Sequence, residues 1–508
     1  MMKKTHRKIA LLAAAAVVGA NVVMSGSAAA GGNAPAEAVK KSGEVATAKS
    51  DYGTYREAIV QLVNQGVLAG YSDGIMKPHQ HVKRAELAKM VVLGLQLKSK
   101  ENSDVQLEDV KQKDWYYNYA ATAVQLGVMT SDEGRFKPNG RVTHAEFAEI
   151  IAKSLQRDVL SVRSWMKGTY SADQNATRGD AIELLANARK SIRSEAAKIT
   201  KIRSLNKITM EATFDQPLTL ENESLEAGMS HFVFDHGLKL VNQPRLKTGS
   251  FATYILPTTT QTPDTTYTLT YRGSQSLKAE ASGELIRTNE ARQVDKDSFE
   301  LEILKSEGVT DYGYIISAYA GGRGSNAFIL DENNMFNGQP FQVVSSLRSR
   351  SVTITPKGGE AMVANYLPFT QSTDGKQEPK FRLPNGAQLK PGVTYTVTSD
   401  WLTLKNATFV AQETAPVQIA STAQVDAASL NVTLSQDPGD EIFVQREVKL
   451  TGADGSEAKA QYTVQSRKGA TGTFALQNDV KLTPGVTYTV EPIGDWAVAS
   501  ETLTLTAK

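Results

Sequence analysis

The sequence predicts a multidomain chain in two halves, an all-α repeat unit followed by all-β immunoglobulin-like sandwiches. Three observations predict it. Residues 58–95 align with residues 119–155, and both carry apolar residues at helical spacing. Past residue 200 the pattern changes to strict alternation, as in Ile208, Met210, Ala212 and Phe214, or Leu430, Val432 and Leu434. A turn followed by a Tyr-bearing strand recurs at Pro263–Leu269, Pro391–Val397 and Pro484–Val490. Each copy closes a stretch of about a hundred residues, the size of an immunoglobulin-like sandwich.

At 508 residues the chain exceeds one core. Its first thirty residues have the form of a secretory signal peptide: Lys3, Lys4, Arg7 and Lys8, an apolar run from Ile9 to Val23, then Ala28-Ala29-Ala30 before the expected cleavage. Residues 31–50 read as a linker. Loss of four basic residues with the signal takes the formal charge from +2 to −2, which removes any bulk attraction to nucleic acid. No later apolar run is long enough for a transmembrane helix. The chain has no cysteine, so an exported protein of this kind rests on ordinary cores, and thiolate metal sites and cysteine nucleophiles are excluded.

In the aligned segments Gly66 pairs with Gly127, Pro78 with Pro138, and Val82–Glu86 with Val142–Glu146. Each reads as helix, Gly-rich loop, Pro turn, helix. Gly66 sits where the first helix should end. Thr143 with Glu146 three residues on is a capping box, in which hydroxyl and carboxylate each satisfy a free backbone N–H. Shifted onward, Val142–Glu146 falls on Ala176-Thr177-Arg178-Gly179-Asp180. The Arg-Gly-Asp tripeptide there is thus a third, shorter copy, with Asp180 in the capping position; as an adhesion signal it carries little information, because it occurs by chance in many chains. Residues 51–100, 105–157 and 158–195 are the three repeats.

The pattern resembles the S-layer homology (SLH) domain family. The matching pieces are Gly66 to Gly70, Tyr71-Ser72-Asp73-Gly74 and Lys77-Pro78 in the first copy. In the second they are Leu107–Val110, Trp115, Glu133–Pro138 and Thr143–Glu146. The family's Thr-Arg-Ala-Glu is varied in all three copies: Lys83-Arg84-Ala85-Glu86, Thr143-His144-Ala145-Glu146 and Thr177-Arg178-Gly179-Asp180. The first copy lacks a Trp at Thr54 or Tyr55, and the third has no room for a full first helix between Gln156 and Tyr170. The resemblance implies one pseudo-threefold helical unit that docks on the anionic secondary cell-wall polysaccharide of a Gram-positive wall.

Polymer-binding candidates are Gly70, Asp73, Lys83, Arg84, Glu86, Trp115, Thr143, His144, Glu146, Thr177 and Arg178. A helix N-terminus with free N–H groups attracts a carboxylate. Arg84 and Arg178, one residue inside the cap, are placed to add a forked charge-assisted pair, and His144 would do so when protonated, below about 6.5.

The β-half divides at 198–292, 293–415 and 416–508. It holds no Gly-x-Ser-x-Gly, Walker loop or His-Glu-x-x-His. Gly321–Ser325 opens no helix and reads as a loop. His231 and His236 fall on opposite faces if they share a strand. Asp331–Asn334 and Asp437–Glu441 are acidic loops and candidates for Ca²⁺, without EF-hand spacing. The sequence reading is a non-enzymatic, wall-anchored surface protein whose β-half joins a surface lattice by self-association. An anchored adhesin or glycan-binding protein is the alternative, followed by an anchored exoenzyme.

Overall fold

The computed structural model describes residues 52–99, 105–166, 169–303, 329–368, 378–499 and 501–508. The expected signal peptide, the linker and the Gly321–Ser325 loop lie outside the described residues.

Among the described residues six α-helices form the first half: α1 (Arg56–Asn64), α2 (Arg84–Gly94), α3 (Tyr117–Gln125), α4 (His144–Leu155), α5 (Val159–Ser164) and α6 (Arg178–Arg189). Local chemistry sets their ends. α1 and α3 stop at Gly66 and Gly127, whose positive φ lets the chain reverse without a Cβ clash. α5 starts where Asp158 accepts the Ser161 N–H at 2.7 Å, and its six residues make it the short first helix of the third copy. The second helix of each copy packs on the first helix of the next: α2 on α3, α4 on α5, and α6 back on α1. Short antiparallel bridges close the same cycle, Lys83 with Arg141, Thr143 with Asn175, and Thr177 with His81. The result is a three-member ring around one core that includes Leu62, Leu87, Phe136, Phe147, Ile151 and Leu185.

The third copy also carries the junction to the β-half. Trp165 donates from its indole to the Gly249 carbonyl at 2.9 Å and packs 5.1 Å from the Phe251 ring. Arg157, buried beside it, donates to the Ser250 carbonyl at 2.8 Å, and burial lowers its pKa to about 10.

The first β-unit faces a four-stranded sheet (Ile199–Asn206, Thr209–Phe214, Thr253–Pro257, Arg245–Leu246) against a three-stranded one (Phe232–Phe234, Thr266–Tyr271, Gln275–Glu280). Phe214, Tyr254 and Tyr271 fill the space between. Among the described residues the second unit is an eight-stranded ladder with Leu402–Asn406 and Thr408–Val410 at its edges. Among the described residues the third is an eight-stranded ladder with Val498–Ala499 and Leu503–Thr506 at its edges. A division at 292/293 would cut the strand Ile286–Asp295, which pairs with Ser298–Ile303 on one side and Leu402–Asn406 on the other. The break between ladders falls instead at residues 281–285, where the chain leaves Gln275–Glu280; we place the unit boundary there.

The recurring Tyr has a shared job. Tyr267, Tyr395 and Tyr488 are buried, and each hydroxyl accepts the backbone N–H five residues upstream, from Thr262, Lys390 and Thr483 at 2.9–3.0 Å. The turn between donor and Tyr needs a left-handed residue, supplied by Gly392 (φ 80) and Gly485 (φ 84), with Asp264 (φ 57) in the same place in the first unit. The motif is therefore a tyrosine corner that fixes where each closing strand begins.

Two details depart from the sequence reading. His231 ends a helix, α7 (Leu225–His231), so it and His236 do not share a strand. The Ca²⁺ candidates are committed elsewhere: Asp437 to Arg467 at 2.6 Å, Asp440 to Lys380 at 3.1 Å, and Asp331 to the N–H groups of its own turn, Asn333 and Met335. Carboxylates already neutralised by Arg and Lys make poor calcium ligands.

Candidate functional site

The turn before each second helix is where the three copies touch, so the expected binding residues are gathered there. Their donors, however, are used. In α2 the Arg84 and Ala85 N–H groups donate to the Gly140 and Pro138 carbonyls of the second copy. In α4, His144 and Ala145 donate to Gln174 and Ala172 of the third, and in α6, Arg178 and Gly179 donate to Gln80 and Pro78 of the first. The next N–H is capped from within the turn, Glu146 by Thr143 at 3.2 Å and Asp180 by Thr177 at 3.1 Å. The helix N-termini expected to be open to a carboxylate are closed by the neighbouring copy.

The cations follow the same rule. Arg84 is buried; its Nε donates to the Phe136 carbonyl at 2.8 Å and its Nη2 to Thr130 at 2.7 Å, with the guanidinium 5.1 Å from the Phe136 ring. Arg178 does the same one step round the ring. Its Nε donates to Met76 at 2.9 Å and its Nη2 to Ala69 at 2.8 Å, with the guanidinium 4.8 Å from the Tyr71 ring. His144 is fully buried; Nδ1 accepts the Ser171 N–H at 3.1 Å, so Nε2 carries the proton and faces Asp180 at 3.3 Å. These three side chains hold the next copy's loop in place. This corrects the expectation of an exposed, forked anion contact at Arg84 and Arg178, and of a protonated one at His144.

The carboxylates close the set. Glu146 accepts from Arg84 Nη1, so the reciprocal half of its capping box is not made. Glu86 accepts the Lys83 N–H at 3.1 Å and the Tyr71 hydroxyl at 2.7 Å. That hydroxyl is pushed up to about 12, first by burial and then by the Glu86 hydrogen bond. Asp180 and Thr177 form the full capping box expected of them. A Cβ on Gly179 would lie 2.6 Å from the Tyr55 ring, so the Arg-Gly-Asp tripeptide is packed inward along its whole length.

Of the remaining candidates, Gly70 lies against Gly74, where a Cβ would come within 2.8 Å of the Gly74 carbonyl. Asp73 caps its own turn through the Ile75 N–H and pairs with Lys77 at 2.8 Å. Lys83 is exposed and donates to Asn139 at 3.2 Å.

Trp115 differs from all of these. It is 45% exposed, braced edge-on by Tyr116 at 5.3 Å, in the groove between α2 and α3. Lys89 of α2 reaches over it, 5.7 Å from the Trp115 ring and 5.9 Å from that of Tyr119 on α3. An exposed indole beside an ammonium and a second ring suits a sugar that bears an acidic group: the ring faces bury the sugar's C–H surface and the cation meets the acid. Lys89 and Tyr119 were not among the sequence candidates. The signal lay in the repeat alignment, where Lys89 falls on Glu149 and Glu183 in the other copies. Glu183 lies in the α6–α1 groove close enough to Tyr55 that its charge, after burial and Asp180, helps raise the Tyr55 pKa. The ring is threefold in backbone; its grooves differ in charge.

Residues 47–88 and 106–148 match the S-layer homology domain, and the third copy lies outside both matches. The chain thus carries S-layer homology domain sequence within its first two repeats. It is similar to the surface-layer 125 kDa protein of Lysinibacillus sphaericus, 30% identical over 126 residues, covering 23% of this chain and 10% of that one. It is 23% identical over 188 residues to the S-layer protein sap of Bacillus anthracis, covering 32% of this chain and 23% of the relative. An amylopullulanase of Thermoanaerobacterium thermosulfurigenes is 26% identical over 135 residues, covering 27% of this chain and 7% of the enzyme. The matches thus span less than a quarter of each relative's length. Among the described residues no helix is long and apolar enough to cross a membrane.

Proposed function

We propose that the helical ring anchors the chain non-covalently to an anionic wall polysaccharide through the α2–α3 groove, and that the β-half contributes to an outer layer without catalysis. The observation that carries this reading is the pairing of exposed Trp115 with Lys89 and Tyr119 in a groove whose two counterparts carry glutamate at the Lys89 position. An acidic polymer is attracted to the first and repelled by the others. Sheet formation by the purified chain would favour the lattice role over that of a lone anchored binding protein.

The test uses the full chain and purified wall sacculi. Trp115→Ala is expected to weaken binding about 10-fold or more, as loss of a central aromatic anchor does. Lys89→Glu should also weaken it and flatten its salt dependence, while Glu183→Lys should not. Equal binding by Trp115→Ala, Lys89→Glu and the parent would overturn the assignment of this groove.

A further inference from the structure

Successive β-units meet through the same side chains at both joints. On the first hairpin of the first unit, Arg203 lies opposite Glu211 and donates to it at 2.7 Å. On the first hairpin of the second unit, Arg292 lies opposite Glu300, eight residues on in both cases, and donates at 2.9 Å. Each glutamate is buried, and its other oxygen faces a buried lysine, Lys247 at 3.5 Å and Lys380 at 2.8 Å. Both cations then cross to the following unit. Lys247 donates to the Asp331 carbonyl at 2.6 Å and Arg203 to that of Glu332. Lys380 lies 3.1 Å and Arg292 3.6 Å from the Asp440 carboxylate.

The return contact repeats as well. Arg350 directly precedes the strand Ser351–Pro356 of the second unit, and Arg446 directly precedes Glu447–Gly452 of the third. Each bonds through Nε to the carbonyl four residues back, Ser346 and Ile442, both at 3.2 Å. Each guanidinium stands over a buried indole, Trp401 at 5.9 Å and Trp496 at 6.0 Å. Each then reaches back to the preceding unit. Arg350 donates to the Thr258 carbonyl at 2.6 Å, with Ile208 at 3.4 Å, and Arg446 to the Asp297 carboxylate at 2.9 Å. Apolar contact follows the same path: Ile208 of the first unit lies in the second unit's core, and Leu367 of the second in the third's.

We propose that this two-way set is a repeated docking surface that fixes each β-unit at one angle to the next, its partner being a β-unit that presents an arginine over a tryptophan. Buried charges give little net stability, but any other angle would leave several of them unpaired, so they select one geometry. The positions that carry the forward pair hold Ala423 and Asn431 in the third unit, so its hairpin lacks this surface.

The absence of cysteine allows a direct test in the full chain. Spin labels on Val363→Cys and Val480→Cys, both at exposed positions in the second and third units, report the joint by electron–electron distance. The parent should give one narrow distance distribution. Arg446→Met, which keeps length and apolar contact with Trp496, should broaden it with the β-type circular dichroism retained. Lys449→Met, on an exposed pair of the adjoining strand, should leave it narrow. If Arg446→Met does not fold, Asp297→Asn removes only the partner carboxylate and should broaden it equally. A broad distribution in the parent, or a narrow one in the folded variant, overturns the proposal.

Discussion

Arg84→Ala is expected to destabilise the helical ring by roughly 3 kcal/mol, because the buried Phe136 carbonyl, the Thr130 carbonyl and the Glu146 carboxylate lose a charged donor together. Arg84 is only 9% exposed, and its guanidinium also packs on Phe136. Arg84→Lys should recover less than half of the loss, since a single ammonium cannot reach three acceptors in the fixed fork that a guanidinium provides. Thermal melting of the full chain, followed by helical circular dichroism, measures both variants. Below its melting transition Arg84→Ala should still bind sacculi. If instead its melting is unchanged while binding is lost, the arginine is a polymer contact after all, as the family motif alone implies.

Trp165→Ala should cost about 3–5 kcal/mol, the range for removing a large aromatic from a core. Its effect is expected at the joint between the halves. Trp165 belongs to the third repeat, yet its indole bonds to Gly249 and its ring packs on Phe251 of the first β-unit. Arg157 and Ser191 reach the same loop, at Ser250 and Phe251. The variant should therefore let the helical ring melt before the first β-unit, where the parent unfolds the two together. Differential scanning calorimetry distinguishes one shared transition from two. A single transition that merely moves down would show that the junction is held by other contacts.

The parts of this protein legible in its sequence are those written by local chemistry. Gly66 and Gly127 end helices because of their own backbone freedom, Thr177 and Asp180 cap through bonds three residues long, and the Pro-to-Tyr motif turns where a left-handed residue allows it. The ring itself was implied by the family resemblance that the repeat carries. Two things were not legible. The direction taken by Arg84, His144 and Arg178 depends on loops 27 to 109 residues away, so residue type at a helix cap could not distinguish a ligand contact from a clamp on the neighbouring copy. The joint between the first two β-units was also hidden, because the strand Ile286–Asp295 continues through the expected boundary with no Pro or Gly to mark it. Trp115 was found as a motif residue, whereas Lys89 gains meaning only beside its counterparts Glu149 and Glu183, and Tyr119 only through the groove.

We propose that an acidic wall polymer holds this chain through the α2–α3 groove. The most direct measurement is a binding isotherm of the full chain on purified sacculi, taken before and after extraction of the secondary polysaccharide, with Trp115→Ala alongside. Binding should be saturable, fall with salt, be lost on extraction, and be about tenfold or more weaker for the variant on intact sacculi. Undiminished binding to extracted sacculi, or equal binding by the variant, would contradict it.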